Sequence, residues 1–183
     1  FANDSNFYAG SMSAEGAQKT TRFIKLCDTF NLPIVSLVDE PGFLIGPEAE
    51  KAGTILHGTN AVLATTESTV PWTTIMIRKS FGVAAAAHYG PDGYVLAWPS
   101  AESGPLPLEG GVAVAFKKEI AQSDDPEAKR KELEEKMAKN QSPFPRAEAF
   151  SVHEIIDPRE TRKYVALWAE RIQSQLKASL MKR

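Results

Sequence analysis

Phe81-Gly82-Val83-Ala84 is the stretch of this chain best suited to chemistry, because a glycine and a run of small residues mark a helix start whose first amides stay uncovered. Those N–H groups have no carbonyl one turn back to bond, and the helix dipole adds to their pull on a developing negative oxygen. An enolate is one oxyanion that such a turn stabilises. The alanines Ala84 to Ala87 suit close helix packing equally well, so composition supports both readings. A second loop, Asp39-Glu40-Pro41-Gly42-Phe43-Leu44-Ile45-Gly46, combines two glycines for close backbone approach with an apolar Phe43 in a polar turn. Read without function, it is a tight turn with a core phenylalanine.

Side-chain catalysts are scarce. His57, His88 and His153 are scattered without metal-ligand spacing, no GxSxG surrounds a serine, and glycine-rich phosphate loops are lacking. No metal site is therefore expected. Asp39 and Glu40 adjoin, and neighbours on an extended chain face opposite ways, which argues against a paired-carboxylate mechanism. Glu102 follows a predicted strand end, where it either reaches the crevice or caps. The lone Cys27 excludes an internal disulfide or a cysteine zinc site, and its neighbours Phe23, Ile24 and Phe30 make it a buried structural thiol in a reducing compartment.

The two loops need elements to hold them. Residues 14–30 carry Phe23, Cys27 and Phe30 at helical spacing, with Ser13 as N-cap and Asn31 as stop, predicting a helix. Ile34-Val35-Ser36-Leu37-Val38 is predicted as a buried strand that exits at Asp39. From Pro47 the stripe Ala52, Ile55, Leu56, Thr59, Val62, Leu63 predicts one second helix, with Glu48 and Glu50 in its first turn. Trp72–Ile77 follows as a strand, residues 78–82 as a turn, Val83–Ala87 as a helix, and Tyr94–Trp98 as a third strand. This alternation implies parallel strands and an α/β fold. Beyond Pro99 the texture changes to a Gly- and Pro-rich stretch, then a short apolar helix with Val112, Val114, Phe116 and Ile120. Asp124 to Lys139 is nearly all charged, a solvated helix held by pairs such as Glu127 with Lys131. A last helix, Glu160 to Lys182, carries Val165, Trp168, Ile172 and Leu176 on one face and docks on the core or on a partner subunit.

With 183 residues, 43% of them hydrophobic and 24% charged, and a net charge of -2, the chain reads as a single domain, 1–183, rather than a nucleic-acid binder or a disordered tail. No apolar run approaches the roughly 20 residues of a membrane span. Neither nucleic acid nor membrane is an expected partner, and the expected location is the cytoplasm, or the mitochondrial matrix in a eukaryote. Phe1-Ala2-Asn3-Asp4 begins without methionine and without an element to start on, so the chain is expected to be part of something longer.

Several stretches taken together resemble a known family: Arg22-Phe23 with Cys27-Asp28, Asn31-Leu32-Pro33-Ile34, Val38-Asp39-Glu40-Pro41-Gly42-Phe43, His57-Gly58 and Thr69-Val70-Pro71. Arg78-Lys79-Ser80-Phe81-Gly82, Ala97-Trp98-Pro99-Ser100-Ala101-Glu102 and Glu154-Ile155-Ile156-Asp157-Pro158-Arg159-Glu160-Thr161-Arg162 complete the set. Their order resembles the C-terminal half of acyl-CoA carboxylase carboxyltransferases, the propionyl-CoA carboxylase β-subunit type above all.

The resemblance implies a crotonase-like fold of stacked ββα units with parallel strands and a C-terminal helical region, as one half of a two-domain subunit. It implies carboxyl transfer between carboxybiotin and an acyl-CoA, with biotin held mainly by this half and CoA mainly by the other. The related α subunits of biotin-dependent decarboxylases run the transfer in reverse, and a non-catalytic assembly subunit of the same fold is the third alternative. Biotin on a carrier and acyl-CoA are the implied cofactor and substrate. The implied partners are the N-terminal half, biotin carboxylase, the biotin carrier protein and further copies of the chain. Backbone donors of the family fall on Val83 and Ala84 beside Gly82, holding either the biotin ureido oxygen or the thioester oxygen, and cofactor contacts fall on Pro41, Gly42, Phe43, Ala85 and Ala86. The family usually reads Arg-Lys-Ala-Tyr-Gly-Gly-Ala-Tyr-Asp there, so Val83 replaces a glycine and Ala86 an aspartate that shapes the acyl pocket. The Cβ branch of Val83 is expected to narrow the approach to the amides.

Overall fold

Helix α1 (Ala14–Phe30) begins where the Ser13 side chain accepts the Gly16 N–H, and it ends where Asn31 turns left-handed at φ 53°. Both ends fall where the sequence puts them. The computed structural model describes residues 1–174, 176 and 177, with the backbone alone at Glu109 and Gly110.

Strand β1 (Ile34–Glu40) buries every second residue from Ile34 to Glu40, so it runs two residues past its predicted end and turns Glu40 inward. The helix expected from Pro47 is two. α2 (Pro47–Lys51) closes at Ala52, Gly53 takes a left-handed φ of 72°, and α3 (Thr54–Thr66) restarts the helix at a new angle. Along their length α1 and α3 pack on one another.

Strand β2 (Trp72–Phe81) also outruns its prediction, because the supposed turn at 78–81 is strand. Its first half pairs in parallel with β3 (Tyr94–Ala97) and its second half with β4 (Glu102–Gly104), while β1 flanks the other side. Two parallel partners in succession give Arg78 to Phe81 the extended backbone that their polar sequence hides. β5 (Glu154–Ile155) pairs with β3, so the sheet order is β1-β2-β3-β5 with β4 beside β2, all parallel. At the free edge of β1, the Leu37 N–H donates to the Phe1 carbonyl at 2.9 Å. Helix α4 (Gly82–Ala86) follows β2 directly.

The expected single apolar helix is again two, α5 (Leu108–Ala115) and α6 (Lys117–Ala121), broken at Phe116. The charged helix is α7 (Pro126–Gln141), capped by Asp125. Its ion pairs join Lys129 to Glu119 and Glu132, and Arg130 to Glu134, in place of the Glu127–Lys131 pair expected. After α8 (Pro143–Glu148), helix α9 (Thr161–Arg171) buries Trp168 and sets Val165 against Ile75, Leu96 and Ile156, so it docks on the core. The predicted end at Lys182 lies outside the described residues. None of the described helices is long and apolar enough to cross a membrane.

Candidate functional site

Because β1 and β2 run parallel, their carboxyl ends emerge side by side, with Glu40 opposite Ser80. The loops leaving such ends carry unpaired N–H groups toward a common crevice. Here one loop is Pro41–Gly46 and the other is the turn into α4. They share an apolar cluster: Phe43 packs against the group formed by Met12, Ala17, Ala61, Ala84 and Ala87.

The first loop is tied down at three points. The Gly42 N–H donates to Glu40 Oε1 at 3.0 Å, the Met12 N–H donates to the Gly42 carbonyl at 3.0 Å, and the Leu44 N–H donates to the Met12 carbonyl at 2.9 Å. Gly42 needs its glycine, since φ is 137°. Phe43 is half-buried and pressed on α3 so closely that a Cβ on Gly58 would lie 2.2 Å from its ring. The core-phenylalanine reading therefore holds for its inner edge.

At the second loop the left-handed residue is Gly82, at φ 64°, with no positive φ on Val83. Replacing the family's second glycine with valine costs no backbone strain, because the conformation that demands glycine sits one residue earlier. Val83 is 66% exposed and Ala86, one turn on, is exposed beside it, so these two form the outer face of α4. Ala84 and Ala85 are buried as whole residues and pack into the core. The amides of Val83 and Ala84 fall in the first turn, ahead of any helical carbonyl, whereas the carbonyls of Ala84, Ala85 and Ala86 accept from Ala87, His88 and Tyr89. A helix of one turn has little dipole. The packing reading of the alanine run holds, with Ala84 and Ala87 fully buried.

Side chains around the turn take other roles. Asp39 points away from Glu40, as expected of neighbours in a strand, and accepts from Arg78 Nε at 2.9 Å and from the Lys79 N–H at 3.2 Å. The Tyr89 hydroxyl meets Ser80 Oγ at 2.7 Å, and burial pushes its phenol above the usual range. His57 bonds Gln18, and His153 Nδ1 accepts the Val95 N–H, so both serve structure. Glu102 belongs to β4 and lines a surface groove with Arg78, Lys79 and Trp98. Cys27 is buried, and burial together with Asp28 raises its thiol pKa. Among the described residues no group of three His, Cys, Asp or Glu side chains is placed to hold a metal. A cavity of about 820 Å3 lined by Thr69, Pro71, Tyr94 and Trp168 opens at the opposite, amino end of the strands, away from the two loops.

One constellation escaped the sequence. Glu40 and His88 are both fully buried below the two loops, with His88 Nε2 3.8 Å from Glu40 Oε2 and His88 Nδ1 2.9 Å from Ser36 Oγ. Asn3 Nδ2 donates to Glu40 Oε2 at 2.9 Å. The available signal was Glu40 sharing the strand period of Ile34, Ser36 and Val38.

The carboxyl transferase domain model matches residues 1–183. The chain is 40% identical over 166 residues to the propionyl-CoA carboxylase carboxyltransferase subunit of Haloferax mediterranei, a match covering 88% of this chain and 32% of that protein. It is 39% identical over 169 residues to the methylmalonyl-CoA carboxyltransferase 12S subunit of Propionibacterium freudenreichii subsp. shermanii, covering 90% and 32%. Among solved structures, the hexameric transcarboxylase 12S with methylmalonyl-coenzyme A and methylmalonic acid bound matches at a TM-score of 0.86 and 38% identity, over 94% of this chain and 34% of that one. The chain thus spans about a third of the length of the curated relatives it matches. The α/β fold with its parallel sheet is the crotonase-like fold of these neighbours. With the match running its whole length, the chain belongs to the carboxyl transferase domain family.

Proposed function

We propose that this chain supplies one wall of an active site that moves a carboxyl group between carboxybiotin and an acyl-CoA, and that it forms the C-terminal, biotin-side half. The observation that carries the reading is the turn Gly82-Val83-Ala84, left-handed at Gly82, which shares one apolar cluster with the Pro41-Gly42-Phe43 loop. A site of this kind suits a reaction whose base arrives with the cofactor. When bound, the biotin group supplies the carbon dioxide and the nitrogen that takes the α-proton of the thioester.

The work left to this chain is electrostatic and steric. The N–H groups of Val83 and Ala84 hold a developing oxyanion, which is either the ureido or the thioester oxygen, and a pair of such donors contributes about 3–4 kcal/mol each to a transition state in a dry site. Gly82, Val83 and Ala86 offer a low outer face, while Pro41, Gly42 and Phe43 flank it. The unstrained turn at Val83 favours a working site over a decayed assembly subunit. By the same reading the partners are the N-terminal half, biotin carboxylase, the biotin carrier protein and further copies of the chain, with an acyl-CoA as substrate.

Val83→Pro tests the reading, because proline removes one donor at a helix position that tolerates it, and the ring points to solvent. Carboxyl transfer by the full-length protein is expected to fall by about a hundredfold or more with the thermal midpoint kept. Retained turnover moves the donors elsewhere.

A further inference from the structure

We infer that Glu40 and His88 form a buried positioning pair that fixes the loop carrying Phe43 against the helix carrying the Val83 and Ala84 amides. The inference rests on the carboxyl-transfer reading for what the two loops do, though not for how they are held. Each partner anchors a different loop. Glu40, the last residue of β1, gives Oε1 to the Gly42 N–H at 3.0 Å and so sets the first turn of the exit loop. His88 follows α4 by two residues and stitches its end to the sheet. The His88 carbonyl accepts Thr74 Oγ1 of β2 at 2.7 Å, its Nδ1 meets Ser36 Oγ of β1 at 2.9 Å, and its N–H closes on the Ala85 carbonyl at 3.0 Å. The two side chains then face each other at 3.8 Å, beyond hydrogen-bond reach, and His88 Nε2 has no hydrogen-bond partner.

Stability alone does not account for this arrangement. Glu40 is 0% and His88 1% exposed, and a buried carboxylate beside an imidazole is generally no more stable than well-packed apolar residues of the same volume. What the pair adds is geometry. Among the described residues the exit loop's other backbone ties are on Met12 and at the start of α2, so the approach of Glu40 to His88 is what sets its polar anchor next to the end of the alanine helix. A shift of either loop by an ångström changes the gap between Phe43 and the donor amides, a displacement large enough to cost turnover without touching a reacting atom.

The double variant Glu40→Met/His88→Leu in the full-length protein separates this role from a structural one. It is expected to leave the acyl-CoA KM within about twofold and to lower kcat per folded molecule by about tenfold or more, beyond any loss of thermal midpoint from the unpaired Ser36 hydroxyl, Asn3 amide and Gly42 N–H. Hydrogen exchange at the Gly42 amide is expected to speed up in the same variant. Glu40→Gln retains an acceptor for that amide and is expected to restore both its protection and most of kcat. Wild-type kcat in the double variant, or a kcat that falls only in step with the folded fraction, overturns the inference. Where the double variant does not fold, exchange at Gly42 in His88→Leu alone decides it, unchanged protection overturning the pair. A wild-type protein without turnover on any acyl-CoA counts instead against the carboxyl-transfer reading, and the exchange measurement then judges the pair by itself.

Discussion

Gly82 is the residue on which the turn depends, because it alone there takes a left-handed backbone, at φ 64°. A Cβ at Gly82 would sit 3.5 Å from the Pro105 carbonyl, which is ordinary contact, so the penalty for a side chain is conformational rather than steric. Gly82→Ala is therefore expected to cost about 1–2 kcal/mol of stability, read from urea midpoints, and to lower turnover by tilting the amides that follow. A change below about 0.3 kcal/mol would mean that the turn relaxes freely and has no fixed donor geometry. Val83 shows the opposite logic. It departs from the family's glycine without strain, so the sequence comparison alone overstates what that substitution does.

Among the elements, α1 and the approach to β2 are joined by one carboxylate oxygen. Asp28 Oδ1, near the end of α1, accepts from the Thr69 N–H at 2.9 Å, the Val70 N–H at 3.3 Å, and the hydroxyls of Ser68 and Thr69 at 3.3 Å each. Asp28 is half-exposed, so solvent screens part of that gain. Asp28→Ala is expected to cost about 1–2 kcal/mol, seen as a lower urea midpoint with an unchanged slope, and Asp28→Asn less. An unchanged midpoint in Asp28→Ala would remove this tie from the account. The same elements explain what was legible beforehand. α1 declared itself by period and by two caps, and the α4 turn by its small residues. β4 and β5, at three and two residues, are too short to hold a period and exist because β2 and β3 offer them an edge. The break at Gly53 looked continuous because the apolar stripe runs through it. Glu40 and His88 lie on different elements, and a contact between distant positions leaves no local pattern to read.

For the molecule as a whole, the two loops make one side of a site on the proposed reading. Val83, Ile45, Ile55, Leu56 and Leu63 are all more than half exposed, an apolar fraction that a matching surface would cover. Relatives of the chain are about three times longer. The 183-residue chain by itself is accordingly expected to give no acyl-CoA-dependent carboxyl transfer, even with biotin carrier, biotin carboxylase, bicarbonate and ATP supplied. Adding the remainder of the full-length protein is expected to restore fixation of labelled bicarbonate on at least one acyl-CoA. The comparison discriminates because, on the proposed reading, the donors belong to this chain alone. If they sufficed, turnover would survive the loss of the other half. If the site needs a second wall to hold the thioester and exclude water, activity appears only when both halves meet. Turnover by the isolated chain would mean that the acyl-CoA is held on this wall too, and would place both substrates on the face formed by Pro41 to Phe43 and the α4 turn.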